Sequence, residues 1–410
     1  MSELAALIRE EIAREGAIPF ARFMELALYH PILGYYAGGG VGREPLGWGG
    51  DYFTSGDVHP LWGWCLARQL HQMWELLGRP ARFDVAEPGA GRGLLAHEVW
   101  AYAMERAPDW AAALRYTLVE WSPADSPLRA RRAADLMGAL AALGEPAVAG
   151  TRWASSLAEV APDGIIGCIV ANELVDALPV HVVELRGGAL CEVYVDVDVD
   201  AHTGRLVERL GAPSRPDVAA YLNRMGIAWR GFGDGWRAEI SLAAEDWMRS
   251  VAVALTRGFI LSIDYGDTAR RLYTRDRRRG TLAVYARHQL GERPLAHPGE
   301  QDLTAHVNFS ALVAAGRAMG LRVAGLTTQR ALLERLGIRA EAEARAARMF
   351  PAADRERQSD QGQADYLRRA ALRGAVGVLL APEGLGGFRA LAMQRGVPGA
   401  GRRLLGFVDA

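Results

Sequence analysis

The sequence predicts an α/β protein: an open, mainly parallel sheet covered by helices, preceded by a helical region and interrupted by an inserted one. Three observations carry that expectation. Residues 83–106 read as strand, glycine turn and helix, the opening unit of a nucleotide-binding sheet. Apolar runs return at 115–120, 164–170 and 258–266, and the run at 164–170 is apolar throughout, as a strand covered on both faces requires. Between 180 and 257 the strand–helix alternation stops. The 410 residues therefore divide into a helical and lid region (1–80), the first half of a sheet (81–179), an inserted region (180–257), and the second half with C-terminal helices (258–410).

At the N-terminus, Leu4, Leu7, Ile8 and Ile12 recur at helical spacing and give a helix over 2–15. Ile18-Pro19-Phe20 breaks it, and Phe23 to Tyr29 makes a second. The stretch Gly38 to Gly50 mixes glycine with aromatics and reads as a lid-like loop. It ends in Gly50-Asp51-Tyr52-Phe53-Thr54-Ser55. Here Asp51 and Thr54 are candidates to contact a ligand, while Ser55 or Asp57 equally suits capping a helix from about His59 to Leu77.

The strand from Phe83 to Glu87 then turns through Gly89, Gly91 and Gly93 into a helix over 94–106. Each glycine lets backbone turn sharply or press against a ligand, and Glu87 stands at the strand's carboxyl end, where open sheets hold ligands. A dinucleotide fingerprint needs a third glycine where Leu94 stands, and a P-loop needs a lysine. The chain has no lysine; all 47 basic residues are arginine. What survives, E-x-G-x-G-x-G, suits S-adenosylmethionine (SAM), which carries no phosphate and whose cationic end matches a carboxylate.

A second strand, 115–120, ends in Glu120, placed to accept hydrogen bonds from ribose hydroxyls. A helix over 126–143 leads to a third strand near 147–153. The fourth, 164–170, empties into Asn172-Glu173 and Asp176, which would face the reacting group across the switch point. Alternatively, Asn172 caps a short helix and Glu173 suits its positive end.

In the inserted region, 180–186 and 190–199 form a hairpin through Gly187-Gly188. The acids of 196–200 lack the glycine and terminal glutamate of a calcium loop and read as a solvated edge strand. Trp229, Trp236 and Trp247 form either a substrate wall or a local core. The fifth strand is 258–266, and the arginine-dense 270–279 is a solvated loop or a surface that steers an acidic partner. His306 is a core histidine or a catalyst. A helix to Met319, strands at 321–327 and 388–395, and helices across 329–380 complete the chain.

Net charge is −1, with pI near 6.8, so no global field recruits nucleic acid or anionic membrane. No apolar run reaches membrane-spanning length. Cys65, Cys168 and Cys191 fit no zinc or redox pattern, so no metal is expected and the thiols should be free. Residues 1–16 lack a signal-peptide apolar core and the acid-poor character of a transit peptide. Together these features point to the cytoplasm.

Several separated pieces jointly resemble the MidA-type family of class I SAM-dependent methyltransferases, which includes the mitochondrial complex I assembly factor. They are His30-Pro31 with Gly34-Tyr35-Tyr36, Gly50 to Ser55, Glu87 to Gly93, Ala171-Asn172-Glu173 with Asp176-Ala177-Leu178-Pro179, Asp264-Tyr265-Gly266, and Gly299 to Val307. The resemblance implies a seven-stranded Rossmann-like methyltransferase sheet, SAM as cofactor and, for the mitochondrial members, methylation of a protein arginine. Glu87 and the backbone of Gly89, Gly91 and Gly93 would then hold the amino-acid end of SAM, Glu120 the ribose, with Asp51 and Thr54 closing over it. Glu173, then Asp176, with Asn172 beside them, would hold and deprotonate the nucleophile, and His306 is a further catalytic candidate. The chain departs from the family's pattern in three places. Gly56-Asp57 replace Pro-Glu, Leu174-Val175 replace two aromatics, and Trp153-Ala154-Ser155-Ser156 stand where an acid is usual. Trp153 and Ser155 thus become the candidates beside the adenine. The expected partner is a protein substrate or a small molecule, with a homodimer compatible. A small-molecule O- or N-methyltransferase and an assembly factor without turnover are the competing functions.

Overall fold

Seven strands run through the centre of the chain: β1 (Phe83–Pro88), β2 (Leu114–Val119), β3 (Thr151–Ala154), β4 (Ile165–Asn172), β5 (Leu255–Asp264), β6 (Arg322–Thr328) and β7 (Arg389–Arg395). The structure is a computed structural model that describes residues 2–38, 44, 47, 54–120, 126–160, 164–198, 204–286, 289–291, 293–355, 358–399 and 403–407. The strand order is β3-β2-β1-β4-β5-β7-β6. The first five strands are parallel, and β7 runs antiparallel to both β5 and β6. The chain moves outward from β1 to β3 and then returns to β4 on the other side of β1. That reversal opens a crevice at the carboxyl ends of β1 and β4.

Alternation along the strands divides the core between two faces. In β5, Phe259, Leu261 and Ile263 enter the cluster that holds Trp100, Trp110 and Leu118. Ile260 enters the opposite cluster, with Ile169, Met248 and Phe309. At the centre, backbones meet too closely for any side chain: a Cβ on Gly167, at φ +155°, would lie 1.9 Å from the carbonyl oxygen of Asp84. Gly167→Ala is therefore expected to destabilise the fold by more than about 3 kcal/mol. An unchanged denaturation midpoint would contradict this packing.

The inserted region makes an antiparallel sheet of His181–Arg186, Ala189–Val197, Leu206–Gly211 and Arg237–Ile240. Ile18–Pro19 joins it by pairing with Val195 and Tyr194. Phe20, Phe23, Met24 and Leu28 of the second helix, Phe20–Tyr29, then share one core with Val182, Val193 and Val195. The strand expected to be a solvated edge is interior, because Leu206–Gly211 covers one side while His181–Arg186 and Ile18–Pro19 cover the other. Of its acids, Asp196 pairs with Arg209, and among the described residues no group of acids, histidines or cysteines could hold a metal. The three thiols are free.

Two local expectations shift. The third strand begins at Thr151 rather than 147, because Pro146 takes the first turn of a short helix, Glu145–Ala149. The helix expected over His59 to Leu77 runs Leu61–Leu76, but Ser55 and Asp57 do not cap it: they belong to a separate one-turn helix, Ser55–Val58, that precedes it and opens with a Thr54–Asp57 capping box. Among the described residues no helix is long and apolar enough to cross a membrane.

Candidate active site

A cavity of about 580 Å³ lies along the carboxyl ends of β4, β1, β2 and β3. Its floor is the turn after β1. Gly89, Gly91 and Gly93 have φ of +71°, +55° and +75°, so each needs the left-handed backbone that glycine adopts without strain. The turn presents backbone to the cavity and feeds the helix Leu94–Arg106. Glu87, the last residue but one of β1, is buried and accepts a 2.6 Å hydrogen bond from the Tyr116 hydroxyl. Burial pushes its carboxyl up to about 8, against the Tyr116 bond and with help from the Glu120 charge. Glu120, one residue past β2, accepts a short hydrogen bond from the Gly91 amide. Burial raises its pKa, while Arg132, that amide and Arg129 pull the other way.

At the other end, Asn172 closes β4 and Glu173 follows with φ +49°, a left-handed conformation that costs a non-glycine residue about 1–3 kcal/mol. Tertiary contacts hold it there. Its amide donates to the Ile263 carbonyl at 2.9 Å, and its Oε1 accepts from the Ser55 amide at 2.9 Å and Asn172 Nδ2 at 3.1 Å. Burial nevertheless pushes Glu173 up to about 7, and Asp176 adds to the shift. Asp176 is itself pushed up to about 6 by burial, against Tyr265 and backbone donors. Asp264, fully buried at the end of β5, caps the turn between them by accepting from the Val175 and Asp176 amides at 2.9 and 3.2 Å. Burial and the charges of Asp176 and Glu173 raise it well above the carboxylate range. Three acids thus share one poorly solvated corner, and Asn172 Oδ1 beside them is buried without a partner.

Of the remaining residues singled out in the sequence, Thr54 lines the cavity, but its amide and hydroxyl both donate to Asp57 Oδ2 at 2.9 Å. Asp57 also pairs with Arg92 of the glycine turn. Trp153 and Ser155 line the far end, where Ser155 Oγ accepts from Arg129 Nη1 at 3.0 Å. Asp51 lies outside the described residues. His306 is not brought to the cavity: it is exposed, edge-on to the Tyr265 ring at 5.4 Å and beside Arg277. The tryptophans divide, with Trp229 and Trp236 in a local core and Trp247 on the cavity wall. Sequence reasoning missed Gln329, fully buried at the end of β6. It accepts from Trp62 Nε1 at 3.0 Å and donates to Ser55 Oγ at 3.1 Å and the Leu385 carbonyl at 3.0 Å. It thereby holds the short helix whose Ser55 amide reaches Glu173.

These residues fit SAM in kind: a carboxylate and a backbone turn at β1, a carboxylate at β2, and the indole rings of Trp153 and Trp247 on the wall beyond it. Comparison with known proteins agrees. A family model described as "Putative S-adenosyl-L-methionine-dependent methyltransferase" matches residues 65–327. The chain is 30% identical over 321 residues to the mitochondrial protein arginine methyltransferase NDUFAF7 homolog of Drosophila melanogaster, spanning 75% of this chain and 68% of that one. It is 28% identical over 348 residues to mitochondrial protein arginine methyltransferase NDUFAF7 of Homo sapiens, spanning 80% and 72%. A solved structure from Burkholderia thailandensis, described as a "likely methyl transferase" and bound to S-adenosyl-homocysteine, superimposes with a TM-score of 0.82 at 32% identity. The match covers 99% of this chain and 94% of that one. The relatives from fly and human are mitochondrial proteins, which overturns the cytoplasmic expectation drawn from charge, thiols and the first residues.

Proposed function

The chain belongs to the family of SAM-dependent methyltransferases and uses SAM as its cofactor; from that premise we propose that its methyl acceptor is an arginine side chain of a protein. One observation carries the reading: at the reacting end the cavity is lined by the Glu173 carboxylate, with the acids Asp176 and Asp264 buried behind it, outside the cavity wall, and the unpaired Asn172 Oδ1 beside it. Such a corner is costly when empty of positive charge, and a guanidinium brings both the charge and a planar set of N–H donors. The names of the fly and human relatives point the same way.

When bound, the sulfonium supplies an activated methyl group. The protein's part is to hold, align and exclude water. Glu87 would take the ammonium of the amino-acid end, the backbone of Gly89 and Gly91 would lie against the same end while Gly93, outside the cavity wall, closes the turn onto the core, and Glu120 would receive the ribose hydroxyls. Thr54, committed to Asp57, contributes by shaping the wall. On the acceptor side, two donors orient Glu173 through Oε1, and its carboxylate, which lines the cavity, would meet the guanidinium. A guanidinium nitrogen that gains a methyl group must release a proton, and Glu173, poised near 7, takes it.

Purified protein incubated with methyl-labelled SAM and cell lysate is expected to label a protein band in which mass spectrometry finds methylated arginine. Label confined to small solutes rejects the reading in favour of a small-molecule acceptor, which the apolar Leu174 on the cavity wall favours. No transfer at all alongside a stable partner complex would identify an assembly factor without turnover.

The Glu87 assignment has its own consequence. Its carboxyl, near 8, is protonated at pH 7, and an arriving ammonium favours the ionised form. Binding of S-adenosylhomocysteine at pH 7 is therefore expected to release about one proton. Calorimetry in two buffers of different ionisation enthalpy measures it, and zero release would remove Glu87 as the ammonium's partner.

A further inference from the structure

Beyond Glu173 the cavity wall passes from the central sheet to the N-terminal helical region. Glu25 and Tyr29 of the helix Phe20–Tyr29 line it, with Tyr36 of the one-turn helix Tyr35–Ala37 and with Leu178 and Pro179, which follow β4 in the chain. Local sequence puts the two helical residues there. Phe20, Phe23, Met24, Ala27 and Leu28 take the face that packs on the inserted sheet, so Glu25 and Tyr29, one turn apart, share another. Glu25 is exposed, whereas Tyr29 and Tyr36 are half-buried.

Both tyrosines are anchored through their hydroxyls. Tyr29 donates to the Ala177 carbonyl at 3.0 Å, and Tyr36 donates to Asp302 Oδ1 at 2.9 Å. Their rings stand 5.4 Å apart, inclined at 36°. With the hydroxyls engaged, what the pair adds to the wall is aromatic. The field there is negative: burial first, then the charges of Asp176, Asp302 and Glu120, hold the Tyr29 hydroxyl well above the usual tyrosine range. Glu173 and Glu25 line the same cavity. Aromatic faces attract cations, and a guanidinium can lie flat on a ring while its N–H groups stay free for carboxylates. A lysine ammonium has no such flat face, and a neutral solute gains nothing from the acids.

We propose that Tyr29 and Tyr36 are the specificity-determining wall of the acceptor channel, stacking on an arginine side chain that enters past Glu25 and ends at Glu173. The inference rests on the reading of the acceptor as arginine and adds how the channel selects it: by aromatic stacking within a negative field, which ranks arginine above lysine and above any neutral side chain of the same shape.

Titration of the S-adenosylhomocysteine complex with Nα-acetyl-arginine methylamide tests this. The ¹³C-labelled ring resonances of Tyr29 and Tyr36, assigned through Tyr29→Phe and Tyr36→Phe, should move as the probe binds. The citrulline counterpart, alike in shape but neutral, should bind at least about 10-fold more weakly, and the lysine counterpart at least about 5-fold. Tyr36→Leu should weaken the arginine probe about 5- to 30-fold and Tyr36→Phe no more than about 3-fold, with S-adenosylhomocysteine affinity within about 2-fold in both. Unmoved rings, a lysine probe that binds as well as arginine, or full affinity in Tyr36→Leu would overturn the proposal. A folded Tyr36→Leu that loses S-adenosylhomocysteine affinity beyond that range would assign the ring to the cofactor and overturn it too. If Tyr36→Leu does not fold, the ring resonances and the probe ranking of the wild type decide alone. An arginine probe that does not bind also overturns the proposal. The arginine reading fails differently, by methyl label confined to small solutes. An arginine probe that binds, loses affinity in Glu173→Gln and leaves the rings unmoved keeps that reading and removes this proposal.

Discussion

Gly91→Val is expected to weaken S-adenosylhomocysteine at least about 100-fold while the protein remains folded. Two effects act in the same direction. Gly91 has φ +55°, where a β-branched residue is strained by about 1–2 kcal/mol, so the turn would move off its present course. Its amide is also the donor that holds the Glu120 carboxylate, and the residue lines the cavity, so moving the turn disturbs both the wall and that carboxylate. Neighbouring glycines are poorer choices. A Cβ on Gly93 would meet Leu136 Cδ2 at 2.5 Å and Leu118 Cδ2 at 2.9 Å, so its replacement damages the core as well. A Cβ on Gly89 would press on Leu174 Cδ1 at 2.8 Å. Calorimetry with circular dichroism separates the outcomes: full affinity in a folded variant would remove the glycine turn from the cofactor site.

What could be read in the sequence was what local chemistry dictates. The glycine turn announced itself because a left-handed backbone repeated at Gly89, Gly91 and Gly93 calls for glycine, and β4 and β5 because buried parallel strands are apolar throughout. Asn172 and Glu173 were visible as polar residues directly after such a strand. Whatever depends on distant partners was not visible. Ile18–Pro19 looks like a helix break, and its strand character comes only from Tyr194 and Val195. The acidic run near Asp196 resembles an edge until Leu206–Gly211 pairs with it. Gln329 carries no motif: its role exists because β6 ends beside Ser55, 274 residues away in the chain. His306 stands within a recognisable motif but outside the cavity, while the amide of its motif neighbour Ala305 donates to the Asp176 carbonyl at 2.9 Å.

The acids of the reacting corner allow a test that separates chemistry from binding. Glu173→Gln keeps the shape of the side chain, and its amide oxygen can still accept from Ser55 and Asn172, so S-adenosylhomocysteine affinity should stay within about 2-fold. The variant cannot take a proton, and loss of a general base lowers transfer by about 100-fold or more. In the wild type, transfer should rise with pH through about 7, as Glu173 ionises, and the variant should lose that rise. Stability supplies a second readout that needs no acceptor. The native carboxyl titrates near 7 instead of its ordinary 4.5, so between these values the folded protein holds a proton that the unfolded chain has lost. Stability of the empty wild type therefore falls as pH rises from about 4.5 through 7 and stays reduced above. Glu173→Gln removes this contribution: it should match the wild type at pH 4 and melt about 2–5 °C higher at pH 8. A variant that transfers at full rate would take Glu173 out of the chemistry, and one that melts lower at pH 8 would show that the carboxylate is already compensated before any guanidinium arrives.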